Sequence, residues 1–254
     1  MSHRPTRAGT GGPRYPGWVR LAGQVALIVL AALCYFVVRG LTQSSHEAAD
    51  ENARQLVSLQ QALGLDVEHG IQRAIIDHDS VVTFANWVYI YGHWPLIAAV
   101  LCLLYFQARD RFRLLRNAMF ISGAIGLVIF ALYPVAPPRL GILDVVDTVT
   151  ERSNSYRTLQ PPGLINRYAA MPSLHFGWNM LVGIMLWNLT RNVAVRTFAV
   201  AMPALMAFAV IATANHYIVD VFAGGVVALT GLALARTLPS DLRLLMRRGE
   251  RTTA

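Results

Sequence analysis

The sequence predicts an all-α integral membrane protein: a six-helix bundle with short amphipathic helices on its outer face. Of the 254 residues, 55% are hydrophobic and only 14% are charged, whereas about a quarter of the residues in soluble domains are charged. The apolar residues also form runs of about 20, the length that crosses a bilayer as a helix. The arginines lie in short clusters between these runs, a pattern that does not suggest a nucleic-acid-binding surface.

Six apolar runs are predicted to span the membrane, and they divide the chain simply. Residues 1–17 are rich in Gly, Pro and Arg and are expected to form a disordered basic tail. Residues 239–254 form a second basic tail, and one catalytic membrane domain covers residues 18–238. The predicted spans are residues 18–38, 84–106, 118–135, 172–189, 193–213 and 215–235.

The polar stretch 42–80 between the first two runs has a helical pattern of its own. Leu56, Leu59 and Leu63 recur at intervals of three and four residues, and a second such series follows up to Ile75. This spacing predicts two amphipathic helices whose apolar undersides rest on the outer mouth of the bundle.

The distribution of arginine predicts the orientation of the spans. All 22 basic residues are arginine, and the tails and loops assigned to the inner side hold 15 of them. Cytoplasmic segments carry this excess of positive charge. We therefore expect a multi-pass plasma-membrane protein with both termini in the cytoplasm, which puts Arg139, His175 and His216 together at the outer face.

His216 and Asp220 are the first candidate catalytic pair. At positions i and i+4 they would share one face of a helix, so that the carboxylate could fix the tautomer of the imidazole and leave its other nitrogen free to attack phosphorus. The leaving alkoxide then needs a proton near neutral pH, and His175 is the candidate donor.

Two further groups suit an anionic substrate. Arg139 follows consecutive prolines, so it is expected in a loop at the membrane edge, where its guanidinium can bind phosphate in a bidentate manner. At the start of the fourth span, Pro172 fits the first turn of a helix, and Ser173 can donate through its hydroxyl beside the free backbone N–H groups of that turn.

Each of these residues also has a simpler structural interpretation. A lone histidine at a membrane edge is commonly a packing residue, Asp220 could belong to a structural pair, and Arg139 could be an interfacial anchor. His175, His216 and Asp220 could together bind zinc, although ligands spread over two spans are not diagnostic. Their placement on one face favours a shared active site.

At these residues the sequence resembles the type 2 phosphatidic acid phosphatase superfamily of membrane enzymes. Pro172-Ser173-Leu174-His175 is similar to the middle motif of the superfamily, Pro-Ser-Gly-His, and His216 to Asp220 matches its last motif, His-x-x-x-Asp. The resemblance implies a six-helix bundle with its site at the outer end. It also implies that His216 is the nucleophile, Asp220 its partner, His175 the acid and Arg139 a phosphate ligand.

Three departures from the superfamily's motifs indicate which of its branches the sequence resembles. The lysine of the first motif is replaced by Leu132, the arginine before the second histidine by Val210, and the proline after the first arginine by Leu140. With Ala-Pro-Pro-Arg and His-Tyr-x-x-Asp, the chain looks more like fungal inositol phosphorylceramide synthase, which moves a singly charged phosphodiester head group. Tyr91 and His93, at the same outer end, are expected to line the substrate pocket.

We therefore expect a membrane enzyme that transfers a phosphoryl-linked head group between a lipid and an alcohol, inositol or another polyol, through a phosphohistidine. One alternative is a phosphatase that uses water on a phosphatidate or polyprenyl phosphate. Another is a non-catalytic lipid-binding protein. No metal, other cofactor or nucleic acid is implied, and the oligomeric state is not predicted.

Overall fold

The computed structural model describes residues 16–41, 46–152 and 167–238, with the backbone alone for residues 39–41. The predicted tail 239–254 lies outside these residues, as does the predicted tail 1–17 apart from Pro16 and Gly17. The described residues form ten α-helices, one 3-10 turn at Pro138–Leu140 and no strand. The first five helices are α1 (Gly17–Leu41), α2 (His46–Ala62), α3 (Glu68–Ile75), α4 (Asp79–Tyr91) and α5 (Trp94–Gln107). The others are α6 (Arg109–Leu132), α7 (Thr148–Arg152), α8 (Leu174–Leu189), α9 (Val193–Ala212) and α10 (Ile218–Thr237).

The predicted spans correspond to these helices, although the count of six is approximate. Among the described residues, α1, α6, α9 and α10 are each long and apolar enough to cross a membrane. Helices α4 and α5 qualify only as a pair, bent by 47° at a short break. Helix α8 has 16 residues and is about 24 Å long, short of the ~30 Å hydrocarbon core.

Three of the predicted spans differ from the observed helices, one by a break and two in where the helix begins. The second span, predicted as one helix over 84–106, is broken at Gly92 and His93. Helix α6 begins at Arg109 rather than Ala118, because the arginine-rich segment continues the helix; arginine is a strong helix former. The last span begins at Ile218 rather than Asn215, so His216 precedes the helix.

The contacts between residues separate the chain into two units, with the boundary between Cys34 and Tyr35. The described part of the first unit is the apolar beginning of α1. In the rest of the chain, α10 packs against α6 and α8, while α9 packs against α8, α4 and α3. These contacts bring the carboxyl ends of α6 and α9 to the amino ends of α8 and α10.

Small residues allow α10 to approach its neighbours closely. A Cβ added at Gly224 would overlap the carbonyl of Ser173, and one added at Gly177 would overlap the carbonyl of Gly224. Small residues at such contacts let helix backbones touch inside a membrane. Gly224 therefore fixes the distance between the start of α8 and the first turns of α10.

Helix α2 buries a different face from the predicted one, whereas α3 buries Ile75 as predicted. In α2 the buried residues are Ala49, Ala53, Leu56 and Gln60, whereas Leu59 and Leu63 are exposed. The alanines let α2 lie close to the segment after α6, where the Ala136 N–H donates to the Ala49 carbonyl at 3.1 Å. Gln60, from α2, and Glu68, from α3, are both buried, so the underside of these helices is partly polar.

The contact between α8 and α10 leads to a stability prediction. We expect Gly224→Ala to lower the free energy of unfolding by about 1–3 kcal/mol, as overpacking of a fixed backbone contact does. Gly225→Ala is the matched control, because both changes add the same helix propensity. The new Cβ at position 225 would meet only side chains, the nearest being the Phe176 ring at 3.3 Å. Thermal unfolding in detergent micelles would measure both variants, and equal midpoints would contradict the role of Gly224.

Candidate active site

The break in the second span places His93 inside the bundle. Helix α4 ends at Tyr91, and α5 restarts with Pro95 in its first turn. Proline is favoured there because its missing N–H is not needed at a helix start. The His93 side chain, held at this break, is only 4% exposed, and its ring centroid lies 4.2 Å from that of His175.

His175 lies in the first turn of α8 against two aromatic rings. Its ring stacks on Tyr89 at 4.6 Å with an interplanar angle of 18°, and His93 is its other close neighbour. The next imidazole is that of His216, 5.8 Å away between ring centroids. The two predicted catalytic histidines therefore face one space.

A tight reversal between α9 and α10 presents His216. Ala214 adopts a left-handed conformation with φ of 58°, and the N–H groups of Asn215 and His216 both donate to the Val210 carbonyl at 3.0 Å. The reversal leaves His216 in a short loop ahead of α10. The shared helix face predicted for His216 and Asp220 is therefore wrong, although the two side chains do meet.

The contacts of His216 define its tautomer. Its Nδ1 lies 2.7 Å from the Ala170 carbonyl oxygen and 3.4 Å from Asp220 Oδ2. Because both neighbours are acceptors, Nδ1 carries the proton and donates it, and the lone pair is on Nε2. The nearer acceptor is the carbonyl, which the sequence analysis did not identify, and the carboxylate is the second partner.

Asp220 is fully buried and also caps α10. Its Oδ2 accepts the Tyr217 N–H at 2.8 Å. The next two N–H groups have side-chain acceptors as well: Ile218 donates to Glu68 at 2.7 Å, and Val219 donates to Gln60 at 3.3 Å. The amino end of α10 is therefore satisfied by protein groups, and the buried polar residues of α2 and α3 serve this purpose.

The amino end of α8 differs, because a buried side chain there lacks a hydrogen-bond partner among the described residues. Ser173 is the N-cap residue, so Pro172 lies outside the helix rather than in its first turn as predicted. The Ser173 N–H donates to the Asp220 carbonyl at 2.9 Å. Its hydroxyl is buried and has no hydrogen-bond partner among the described residues. A buried hydroxyl beside a helix start can donate to an anion.

Arg139 lies in the 3-10 turn and is tied to the loop that carries His216. Its N–H donates to the Ala214 carbonyl at 3.0 Å, and its Nη1 donates to Asn215 Oδ1 at 2.7 Å. Its Nε is 3.4 Å from Asp147 Oδ2. The guanidinium is thus fixed beside His216, and these contacts leave its Nη2 amino group without a partner among the described residues.

The turn that carries Arg139 is anchored on both sides. An isolated parallel bridge joins Val135 to Ala169 just ahead of α8, and the Tyr217 hydroxyl donates to the Ala136 carbonyl at 3.1 Å. Burial raises the pKa of Tyr217, and the negative charges of Asp220, Glu68 and Asp50 raise it further. The hydroxyl therefore remains a donor.

Tyr91 is not among the residues that the structure brings together. Its side chain is 48% exposed, and Tyr89 is the tyrosine that contacts His175. Tyr89 is buried on α4, whereas His93 lies at the break between α4 and α5, outside both helices. The structure therefore puts Tyr89 rather than Tyr91 against His175, and the lining of the pocket by Tyr91 stays a prediction.

Other neighbours of the site were missed for different reasons. Asn215 precedes His216 directly and could have been found from the sequence, whereas nothing in the sequence separates Asp147, Gln60 or Glu68 from ordinary surface residues. Among the described residues, no group of three or more His, Cys, Asp or Glu side chains has the arrangement of a metal site.

Comparisons with known proteins agree with the fold and the resemblance. Residues 54–234 match the family described as the PAP2 superfamily, and no curated protein gives a significant match. The crystal structure of Aquifex aeolicus LpxE aligns with a TM-score of 0.54 and 13% sequence identity, covering 68% of this chain and 94% of that chain. The helical membrane fold and the superfamily predicted from the motifs are confirmed. The chain belongs to the PAP2 superfamily and is an integral membrane enzyme that acts on lipid phosphoesters.

Proposed function

We propose that the enzyme transfers a phosphoryl-linked head group from a membrane lipid to an alcohol through a phosphohistidine at His216. The observation that carries this proposal is the environment of His216 Nδ1. The Nδ1–H group of His216 faces two acceptors, the Ala170 carbonyl and the Asp220 carboxylate. The Nε2 lone pair is therefore available for attack on phosphorus without prior removal of a proton.

In the first step, Nε2 forms a bond to phosphorus while the bond from phosphorus to the lipid alcohol oxygen breaks. The leaving oxygen takes a proton from His175, which acts as general acid. Asp220 offsets the positive charge that develops on His216. Arg139, the Ser173 hydroxyl and the first N–H groups of α8 stabilise the charge on the phosphoryl oxygens.

In the second step, the acceptor hydroxyl gives its proton to His175 and its oxygen attacks phosphorus. The bond from phosphorus to nitrogen breaks, and its electron pair returns to Nε2. His93 lines the acceptor side of the pocket beside His175 in this proposal. Water in place of the alcohol would make the same site a phosphatase.

The number of cations supports a phosphodiester donor of the kind used by inositol phosphorylceramide synthase. At two positions where the superfamily carries cations, this chain has Leu132 and Val210. Leu132 is 79% exposed and Val210 is 0% exposed, so one lies on the outer surface of the helices and the other in the core. Among the described residues, Arg139 is thus the principal cation of the site, which suits a phosphorus centre with one negative charge.

We also propose that residues 18–238 act as one catalytic domain of a plasma-membrane protein, with both termini in the cytoplasm and the site at the outer face. The amino ends of α8 and α10 lie at the site, and α6 begins, at its other end, with an arginine-rich turn. The segment from α2 to α3 carries acidic residues such as Asp66, in the connection, and Glu68, at the start of α3. This asymmetry of charge follows the positive-inside rule.

The first prediction concerns the catalytic pair. We expect His216→Ala to reduce turnover of a lipid phosphodiester by at least about 10³-fold, because no other group supplies the nucleophile. Asp220→Asn should cost less, about 10–100-fold, because Ala170 still holds Nδ1–H and the amide oxygen can still cap Tyr217. Initial rates in detergent micelles would measure both. A non-catalytic lipid-binding protein would show equal rates for the wild type and His216→Ala.

The second prediction concerns the acceptor. Phosphatidylglycerol labelled at phosphorus should yield a labelled inositol phosphodiester when inositol is added, and other polyols would test the breadth of acceptors. Release of glycerol phosphate at a rate that no alcohol changes would exclude transfer and support a phosphatase. Chromatography of the water-soluble products separates these results, and His216→Ala protein is the blank.

The third prediction concerns orientation. In a background with Cys34 and Cys102 replaced by serine, Asp66→Cys should react with a membrane-impermeant maleimide in intact cells. Arg191→Cys, at the turn between α8 and α9, should react only after the membrane is opened. Both parent residues are exposed, so accessibility depends on the side of the membrane, and the reverse pattern would contradict an outer site.

A further inference from the structure

A carboxylate is fixed beside the principal cation of the site. We propose that Asp147 is a specificity-determining residue: it offsets the charge of Arg139 and so favours donors with one negative charge at phosphorus over doubly charged phosphomonoesters. This inference rests on the proposed function, because it concerns the choice of donor in that reaction.

Asp147 is held on both sides by reciprocal side-chain contacts. Before it, the Gln72 amide pairs with both backbone groups of Val146: the Val146 N–H donates to Gln72 Oε1 at 2.6 Å, and Gln72 Nε2 donates to the Val146 carbonyl at 2.8 Å. After it, Asn86 Nδ2 donates to the Thr148 carbonyl and the Thr148 hydroxyl donates to Asn86 Oδ1, at 2.9 Å for each bond.

The carboxylate itself is shared between two partners. Its Oδ1 accepts the Thr150 N–H at 3.0 Å, which caps α7, and its Oδ2 lies 3.4 Å from Arg139 Nε. The side chains of Asp147 and Arg139 are only 20% and 17% exposed. An exposed ion pair between mobile side chains contributes little, largely because ordering both side chains costs entropy. Here the backbone has already fixed Asp147, so its charge acts on Arg139 from a constant position.

The consequence for a substrate follows from the charges. With Nε directed to Asp147 and Nη1 to Asn215, the guanidinium offers its Nη1–Nη2 edge to one phosphoryl group. The negative charge of Asp147 offsets much of the positive charge of the Arg139 guanidinium. The carboxylates of Asp220 and Glu68, at the start of α10, make the electrostatic potential at the site more negative. A phosphomonoester carries about two charges near pH 7 and is repelled more than a phosphodiester. Positions 132 and 210 supply no charge to compensate.

The test compares two donors with the same acyl chains in detergent micelles: phosphatidic acid, a monoester, and phosphatidylglycerol, a diester. Asp147→Asn keeps the shape of the side chain and an oxygen for the Thr150 cap. We expect it to raise kcat/KM for the monoester relative to the diester by about tenfold, the effect of removing one partly screened charge near the phosphate. Asp147→Glu, which retains the charge, should keep the wild-type ratio.

Asp144→Asn is the matched control. It makes the same change of charge in the same loop, but the Asp144 side chain is exposed. Its backbone carbonyl lies 3.0 Å from His69 Nδ1, so the substitution leaves that contact in place. For this variant, the ratio of kcat/KM for the monoester to kcat/KM for the diester should equal that of the wild type. If Asp147→Asn does not fold, Asp147→Ser, which also retains a capping oxygen, takes its place with the same expected shift.

Several results would overturn the inference. The ratio could be the same in Asp147→Asn and Asp144→Asn, both activities could fall in equal proportion, or the wild type could prefer phosphatidic acid. If the wild type cleaves the diester and only the ratio fails to shift, the proposed function stands and the role of Asp147 is wrong. If the wild type cleaves neither donor, the proposed function fails and the inference fails with it.

Discussion

The contact between the start of α8 and the start of α10 is the constraint on which the site depends. The Ser173 N–H donates to the Asp220 carbonyl at 2.9 Å, and Gly224 allows the two backbones to come this close. The same approach brings the Ala170 carbonyl to His216 Nδ1. The imidazole of His216 is therefore oriented by the backbone that leads into the helix of His175, and this contact links the two candidate catalytic residues.

The second constraint is the break in the second span. A continuous helix would keep its side chains on its surface, whereas the interruption before Pro95 directs the buried His93 ring towards His175. Unpaired backbone is costly at membrane depth unless it is buried in protein or lines a cavity. A helix break placed against the candidate catalytic histidine is consistent with a cavity there. Tyr89 completes the packing from the preceding turn of α4.

Much of the architecture could be predicted from the sequence because it depends on local patterns. Apolar runs gave the helices of the membrane domain, and two motifs with an arginine gave His175, His216, Asp220 and Arg139, which the structure brings to one end of the helices. The failures depend on tertiary contacts. The backbone carbonyl of Ala170 has no signature in sequence, since any residue carries one.

Asp147 illustrates the same limit. Its position is fixed by amides that lie 75 residues earlier, at Gln72, and 61 residues earlier, at Asn86, so no local pattern marks it. Tyr89 was also missed, and only the structure shows that its ring stacks on that of His175. The buried polar face of α2 and α3 was missed because Gln60 and Glu68 satisfy N–H groups of α10, a helix more than 140 residues away in sequence.

The central claim is that His216 attacks phosphorus while His175 serves as the acid. Rapid quenching of the enzyme during turnover of a donor labelled at phosphorus, followed by peptide mapping at alkaline pH, tests it most directly, because phosphoramidates survive base. The account predicts an acid-labile label on the peptide that contains His216. Label on His175, or full turnover by an enzyme that never carries label, would contradict it.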